Sequence, residues 1–321
     1  MRRILALLVT AGAVLACAPA AGAYPWPLRP FDRAHPVYEN FGDPTTIFQS
    51  SPGFAALEGP GQFSFRNGVD MAARRGAPVY PVASGRVTLA ERSKVVVQTG
   101  SGEEFQYVHV RPAVAPGVTV EQGVTVLGFI DSSATTLHFA DLENGRAVNP
   151  LALGRLSPYR DRAAPHVRAV DLREPTGRSL NPLTIRGHVE IVADAYDVPT
   201  VPASNRWRAF AVAPALVTWR LQTLAGAPVV PETIAVDFLD VLPRNEEFWR
   251  IYARGTYQNM PVLGSKRFTS MPGRFLYLLT PRPINTDQLA RGIYVVTVTA
   301  YDARGNHTSL SERFALTRAL R

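Results

Sequence analysis

Five side chains in the first half of the chain have types and spacing that bear on chemistry: Arg66, Asp70, His109, Thr136 and His138. An aspartate and two histidines can hold a transition metal, and a histidine near neutral pH can also move a proton. A catalytic zinc needs about three protein ligands and one open position, at which the metal activates a water. Arg66, four residues before Asp70, works against that chemistry, because a guanidinium is permanently charged and has no lone pair to offer. Thr136, two residues before His138, can hydrogen-bond but is a poor base near neutral pH. Taken singly, each residue also has a purely structural reading. Asp70 follows Gly68 and can hold a turn, while His109 between Val108 and Val110, and His138 before Phe139, read as satisfied strand histidines. The other four histidines are His35, His166, His188 and His307, and nothing in the sequence requires any of them to reach the same place.

The elements that must position these residues are strands. Val79 to Ala90 alternates about Ser84-Gly85, and Gly100-Ser101-Gly102 separates Lys94–Thr99 from Glu104–Val110 as a hairpin. Gly123 and Gly128 punctuate two further strands. Regular strand spacing without helical periodicity predicts an antiparallel-sheet domain over residues 37–156. Upstream, residues 24–36 carry four prolines and read as an extended linker, and Pro44 to Gln62 reads as an irregular loop. Residues 157–164 form a polar connector. Beyond it, Leu183 to Asp194, Leu216 to Leu221, Thr233 to Phe238, Arg274 to Thr280 and Ile293 to Tyr301 alternate, with a turn at Gly305-Asn306 and a return at Phe314 to Leu316. This pattern predicts a β-sandwich over residues 165–321 and an all-β chain. Asp302 with Asn306 reads as a plain turn, since acidic ligands at calcium-loop spacing are absent.

Composition narrows the partners. The formal charge is +8, almost all of it arginine, with lysine only at Lys94 and Lys266. There is no run of basic residues and no aromatic-rich RNA signature, so nucleic acid is not expected. Residues 1–23 read as an export signal: Arg2 and Arg3, the short apolar stretch Ile4 to Leu15, and Ala21-Gly22-Ala23 before Tyr24. The only cysteine, Cys17, lies inside it. Ordinary cleavage leaves a cysteine-free chain without disulfides, and any metal must then use His, Asp or Glu. Val14-Leu15-Ala16-Cys17 also resembles a bacterial lipoprotein box, and a lipid on Cys17 is the one membrane attachment expected.

The run Arg66-Asn67-Gly68-Val69-Asp70, then Gly76 to Val87, Tyr107-Val108-His109, Gly117 to Gly128 and Thr136-Leu137-His138-Phe139 resembles the lysostaphin/LytM-type zinc peptidases that cut cell-wall peptides. The resemblance covers about 120 residues. It implies a zinc held by the His and Asp of an H-x-x-x-D motif and the second His of an H-x-H motif, with two further histidines assisting. Carried over residue by residue, Asp70 and His138 are metal ligands and His109 is the assisting histidine or a substitute ligand. Arg66 stands where the first ligand belongs, and Thr136 where H-x-H begins. The site is degenerate, and as it stands is expected to hold no zinc.

The resemblance implies an exported bacterial protein, periplasmic or extracellular, with a LytM-like domain over residues 37–156. Separately, Gly292 to Asp302, Gly305-Asn306 and Phe314 to Leu316 resemble the last hairpin of an immunoglobulin-like or fibronectin-like sandwich, expected over 165–321. The leading expectation is a non-catalytic role in binding peptidoglycan or regulating wall hydrolases, with Arg66 offering a charge for a peptide carboxylate. One alternative is an active zinc endopeptidase with altered ligands on peptidoglycan cross-links. Another is a structural or adhesion protein that binds through its C-terminal sandwich.

Overall fold

The computed structural model describes residues 22–46, 63–198, 200–201, 210–259 and 272–316. Apart from Gly22 and Ala23, the expected export signal lies outside the described residues, Cys17 included, as do residues 47–62 of the expected loop. No helix among the described residues is long and apolar enough to cross a membrane.

The chain is nearly all β, as its alternation predicts. Its first half is built on a sheet whose strands run Val37–Glu39, Val69–Ala72, Thr136–Glu143, Glu104–Val108, Lys94–Gln98, Gly85–Glu91 and Thr119–Val120, with Arg146–Val148 paired alongside Thr136–Glu143. Every pairing in it is antiparallel. A three-stranded sheet of Pro78–Val79, Gly128–Ile130 and Val110–Pro112 lies beside it. Val69, Met71, Val95, Val97, Phe105, Tyr107, Leu137 and Phe139 are almost fully buried in the core between them. These are β-branched, aromatic and long apolar residues at every second position, which is what a pleated, half-buried sheet selects.

Residues 24–36 depart from the expected linker. Tyr24, Trp26 and Leu28 are buried in the same core. The Tyr24 hydroxyl donates to Asp141 Oδ2 at 2.7 Å, and Trp26 Nε1 donates to the Pro158 carbonyl at 2.8 Å. The segment is therefore a built-in part of the domain, tied to residues more than a hundred positions away.

The second half packs two antiparallel sheets face to face. One contains His166–Arg173, His188–Tyr196 and Leu276–Leu278, with Ile284–Asn285 paired to the middle strand. The other runs Pro228–Asp237, Leu216–Thr223, Gly292–Tyr301 and His307–Leu316. Between them lie Val189, Ile191, Val217, Trp219, Val296 and Val298.

The two halves are stitched together by a strand pair, of which Pro44–Thr46 falls in the expected irregular loop and Phe63–Phe65 where short strands are expected to begin. Pro44–Thr46 pairs with Phe63–Phe65, and Phe41, Phe63 and Phe65 enter the second core, against Phe238, Phe248 and Tyr252. Gly42, with φ +89°, lies so close to the Phe238 ring that a Cβ would collide with it. Tyr252 donates to the Gly42 carbonyl at 2.9 Å, and the Ala213 amide donates to Asp43 Oδ1 at 2.6 Å. Burial pushes the Asp43 carboxyl up to about 7.

Candidate functional site

Three strands bring the predicted residues into one row. Glu39 stands opposite Asp70, and Asp70 opposite His138, so three side chains from Val37–Glu39, Val69–Ala72 and Thr136–Glu143 meet on one face. Arg66 precedes this row in the chain. Its backbone is pinned at both ends, with its amide donating to the Asp43 carbonyl and its carbonyl accepting from Gly42, each at 2.9 Å. Gly68 completes the turn: a Cβ there would strike the Phe139 carbonyl, and only glycine lets this loop lie against the His138 strand.

The centre of the site is the Arg66 guanidinium. It pairs with Asp70, Nη1 to Oδ2 at 3.0 Å, and forms an ion pair with Glu39. Nη2 donates to Thr45 Oγ1 at 3.3 Å, and Nη1 lies 3.5 Å from His138 Nδ1. Asp70 Oδ1 accepts from His138 Nδ1 at 2.6 Å, and His138 Nε2 faces Asn67 Oδ1 at 3.1 Å. Burial opposes the Asp70 charge, but Arg66 and His138 outweigh it and hold the carboxyl well below the usual carboxylate range. Glu39 shows the opposite balance: burial dominates over Arg66 and pushes it up to about 8. Arg66 itself stays firmly protonated, since Asp70 and Glu39 more than offset its burial.

His109 occupies a different setting from the expected strand interior. It sits between Glu104–Val108 and Val110–Pro112 with φ 68°, the left-handed region that non-glycine residues adopt only at a cost. Its Nδ1 faces the Thr136 carbonyl at 3.3 Å and Thr136 Oγ1 at 3.4 Å. The positions expected to be catalytic or degenerate thus touch each other, yet Asp70, His109 and His138 do not converge on one point. Among the described residues, the one group of three His, Cys, Asp or Glu side chains with ligand atoms within 4.8 Å of one another is Asp161, Asp197 and Asp302, away from this groove. His35 lines the groove but its Nε2 faces the Leu28 and Pro30 carbonyls, both at 3.1 Å, and its ring packs near Trp26. His166 stacks on Tyr196, His307 packs against Tyr301, and His188 lies on a sandwich strand.

Zinc does not fit the residues present. One ligand position is a guanidinium, Asp70 already accepts from two cationic or donor groups, and a dication would have to displace Arg66 from two carboxylates. The expectation that Arg66 is free to take a peptide carboxylate is also corrected here, because that side chain is occupied by Glu39, Asp70 and Thr45. Glu39 and Asn67 are the participants that residue-by-residue reading missed. No local signal marks Glu39: only the pairing of Val37–Glu39 with Val69–Ala72 brings it opposite Asp70.

An all-β domain with Asp70 and His138 opposite each other on neighbouring strands, and His109 on the adjoining turn, is a LytM-like scaffold. The family model for peptidase family M23 matches residues 64–150, and that stretch of the chain is a peptidase family M23 domain. Among solved structures, the SpoIIQ–SpoIIIAH pore-forming complex is similar at 24% identity, covering 41% of this chain and 90% of that one, with TM-score 0.31. A zinc-containing peptidase from Vibrio cholerae is similar at 22% identity, over 40% of this chain and 39% of that one, with TM-score 0.32. Lysostaphin is similar at 15% identity, over 79% and 96% of the two chains, with TM-score 0.26. No curated protein matches the chain.

Proposed function

We propose that this is an exported protein whose M23-type domain works without a metal, binding cell-wall peptidoglycan or a wall hydrolase rather than cutting the wall. One observation carries the reading: the Arg66 guanidinium fills the ligand corner between Glu39 and Asp70, beside His138. A buried, doubly paired arginine is costly to remove, and a site that must open for zinc would not be closed this way. The second half is read as an immunoglobulin-like sandwich. Its strand order supports this, with the first two sandwich strands and Leu276–Leu278 in one sheet and four strands in the other. Because Phe41, Phe63 and Phe65 belong to its core, the sandwich acts with the M23-type domain rather than as an independent adhesive module.

Two measurements test this on the purified chain. Elemental analysis after zinc loading and dialysis should find far less than one zinc per chain. Near one zinc per chain would restore the metalloendopeptidase reading with Asp70, His138 and His109 as its residues. Co-sedimentation with purified sacculi should pull the protein into the pellet without releasing soluble wall fragments.

A further inference from the structure

The groove beside Arg66 has a volume of about 1580 Å³. Four arginines and two carboxylates line it: Arg29, Arg66, Arg74 and Arg75 against Glu39 and Asp70. Both carboxylates are taken by Arg66. The three remaining arginines are exposed, and their side chains make no hydrogen bond or ion pair with any described residue. Arg66 therefore inverts what the groove attracts. A floor of unpaired Glu39 and Asp70 would favour a cation, whereas Arg66 paired with Asp70, beside a Glu39 that burial holds largely protonated, leaves the positive rim to dominate.

Arg29 is the best prepared of the three. Its guanidinium lies 4.8 Å from the centroid of the Tyr80 ring and 5.5 Å from that of Phe31, and those rings meet edge to face at 5.1 Å. Contact with the two rings holds the guanidinium near their faces while its N–H groups have no acceptor among the described residues. A planar fork of this kind matches the paired oxygens of a carboxylate or a phosphate, and a peptide carries the first at its C-terminus. The adjoining wall is made of short side chains, Ala72, Ala73, Ala77 and Ala134, which leave room for a thin peptide with small side chains.

We infer that the groove binds a short peptide of small residues through its free carboxylate, with Arg29 as the primary carboxylate fork and Arg74 and Arg75 as supporting charges. This rests on the binding reading proposed above and names the end of the peptide that is recognised. An uncharged or internal peptide segment would lack the group that Arg29 is positioned to hold.

The probe is Ala-Ala-Ala, titrated into the full chain by calorimetry at low salt and compared with its C-terminal amide. The amide is expected to bind about tenfold or more weakly, the effect of losing one charge-assisted bidentate pair. Arg29→Gln should weaken the free acid by a similar factor and leave the amide unchanged, as should Arg74→Gln with Arg75→Gln. Arg111→Gln is the control: this exposed arginine lies over Phe129, outside the groove, and its loss should change nothing. Equal binding of acid and amide overturns the inference, as does no binding of either. A C-terminally amidated Glu-Glu-Glu that binds more tightly than Ala-Ala-Ala in an Arg29-dependent way also overturns it, by assigning the groove to an acidic protein segment. Sacculus co-sedimentation separates the two failures. If sacculi are bound while acid and amide bind equally, only the carboxylate inference falls; if sacculi are not bound but the acid is preferred, only the wall reading falls.

Discussion

Two clusters of buried carboxylates flank the join between the M23-type domain and the sandwich, with Asp43 a charge neighbour of both, and they are handled in opposite ways. Glu39 and Asp70 have an arginine placed between them. Asp161, Asp197 and Asp302 sit together at the join with the sandwich without an ion pair to any described residue. They rely instead on neutral donors: Val198 N–H to Asp197, Ala163 N–H and the Tyr159 hydroxyl to Asp161, and Asn306 to Asp302. The nearby Arg304 lies over the Tyr159 ring. The electrostatic outcome differs accordingly. Asp70 is held below the usual range, whereas Asp197 is pushed well above it by burial and then by Asp161 and Asp302. Burial alone penalises a carboxylate. The Arg66 guanidinium together with His138 reverses the sign for Asp70 but not for Glu39, which burial still pushes up to about 8.

The sharpest way to break this contrast is to take the guanidinium away. Arg66→Met leaves the Asp70 carboxylate buried with His138 as its one remaining charged partner, and it should cost about 3–5 kcal/mol in urea unfolding near pH 7. The loss carries a pH signature. Asp70 has a folded value below its unfolded one, so the stability it supplies is present above about pH 4 and fades as pH falls further. The Arg66→Met deficit should therefore shrink in acid. A deficit of the same size at pH 3 and pH 7 would mean that the arginine acts through packing alone.

The other cluster should respond with the reverse sign. Asp197 has a folded value above its unfolded one, so its contribution is intact below about pH 4 and is lost as pH rises through the folded value. Asp197→Asn keeps an oxygen for the Val198 amide and turns a charged neighbour of Asp161 and Asp302 into a donor. It should raise stability by on the order of 1 kcal/mol at pH 7.5 and by little at pH 4. Equal destabilisation at both pH values would show that the negative charge is required there, and the contrast between the clusters would fail.

How much of this was legible beforehand follows the same division between local and long-range causes. The strands of the first sheet could be read because Val95, Val97, Phe105, Tyr107, Leu137 and Phe139 alternate within single segments. Asp70 and His138 fall opposite one another because a strand register carries spacing directly into space. Residues 24–36 were misread because proline content outweighed a visible clue, the period-two burial of Tyr24, Trp26 and Leu28. Pro44–Thr46 gave no such clue, since it is a strand only by pairing with Phe63–Phe65, whose rings pack against Phe238, Phe248 and Tyr252 far along the chain. Glu39 was overlooked for the same reason. Only the pairing of Val37–Glu39 with Val69–Ala72 brings it opposite Asp70.

The smallest expected effect concerns the backbone beside each cluster. Next to Asp302, the left-handed position is taken by a glycine, Gly305 at φ 86°, at no steric cost. Next to the groove cluster it is taken by His109 at φ 68°, and the chain accepts the strain of a side chain there. His109→Gly removes that strain together with the ring's contact to the Thr136 carbonyl. If the ring serves the groove rather than the fold, the variant should be as stable as the parent or gain up to about 1 kcal/mol in thermal or urea unfolding. A loss of about 1 kcal/mol or more would instead make the imidazole a structural brace between Thr136 and the Val110–Pro112 strand. The left-handed histidine would then be explained without any role in binding.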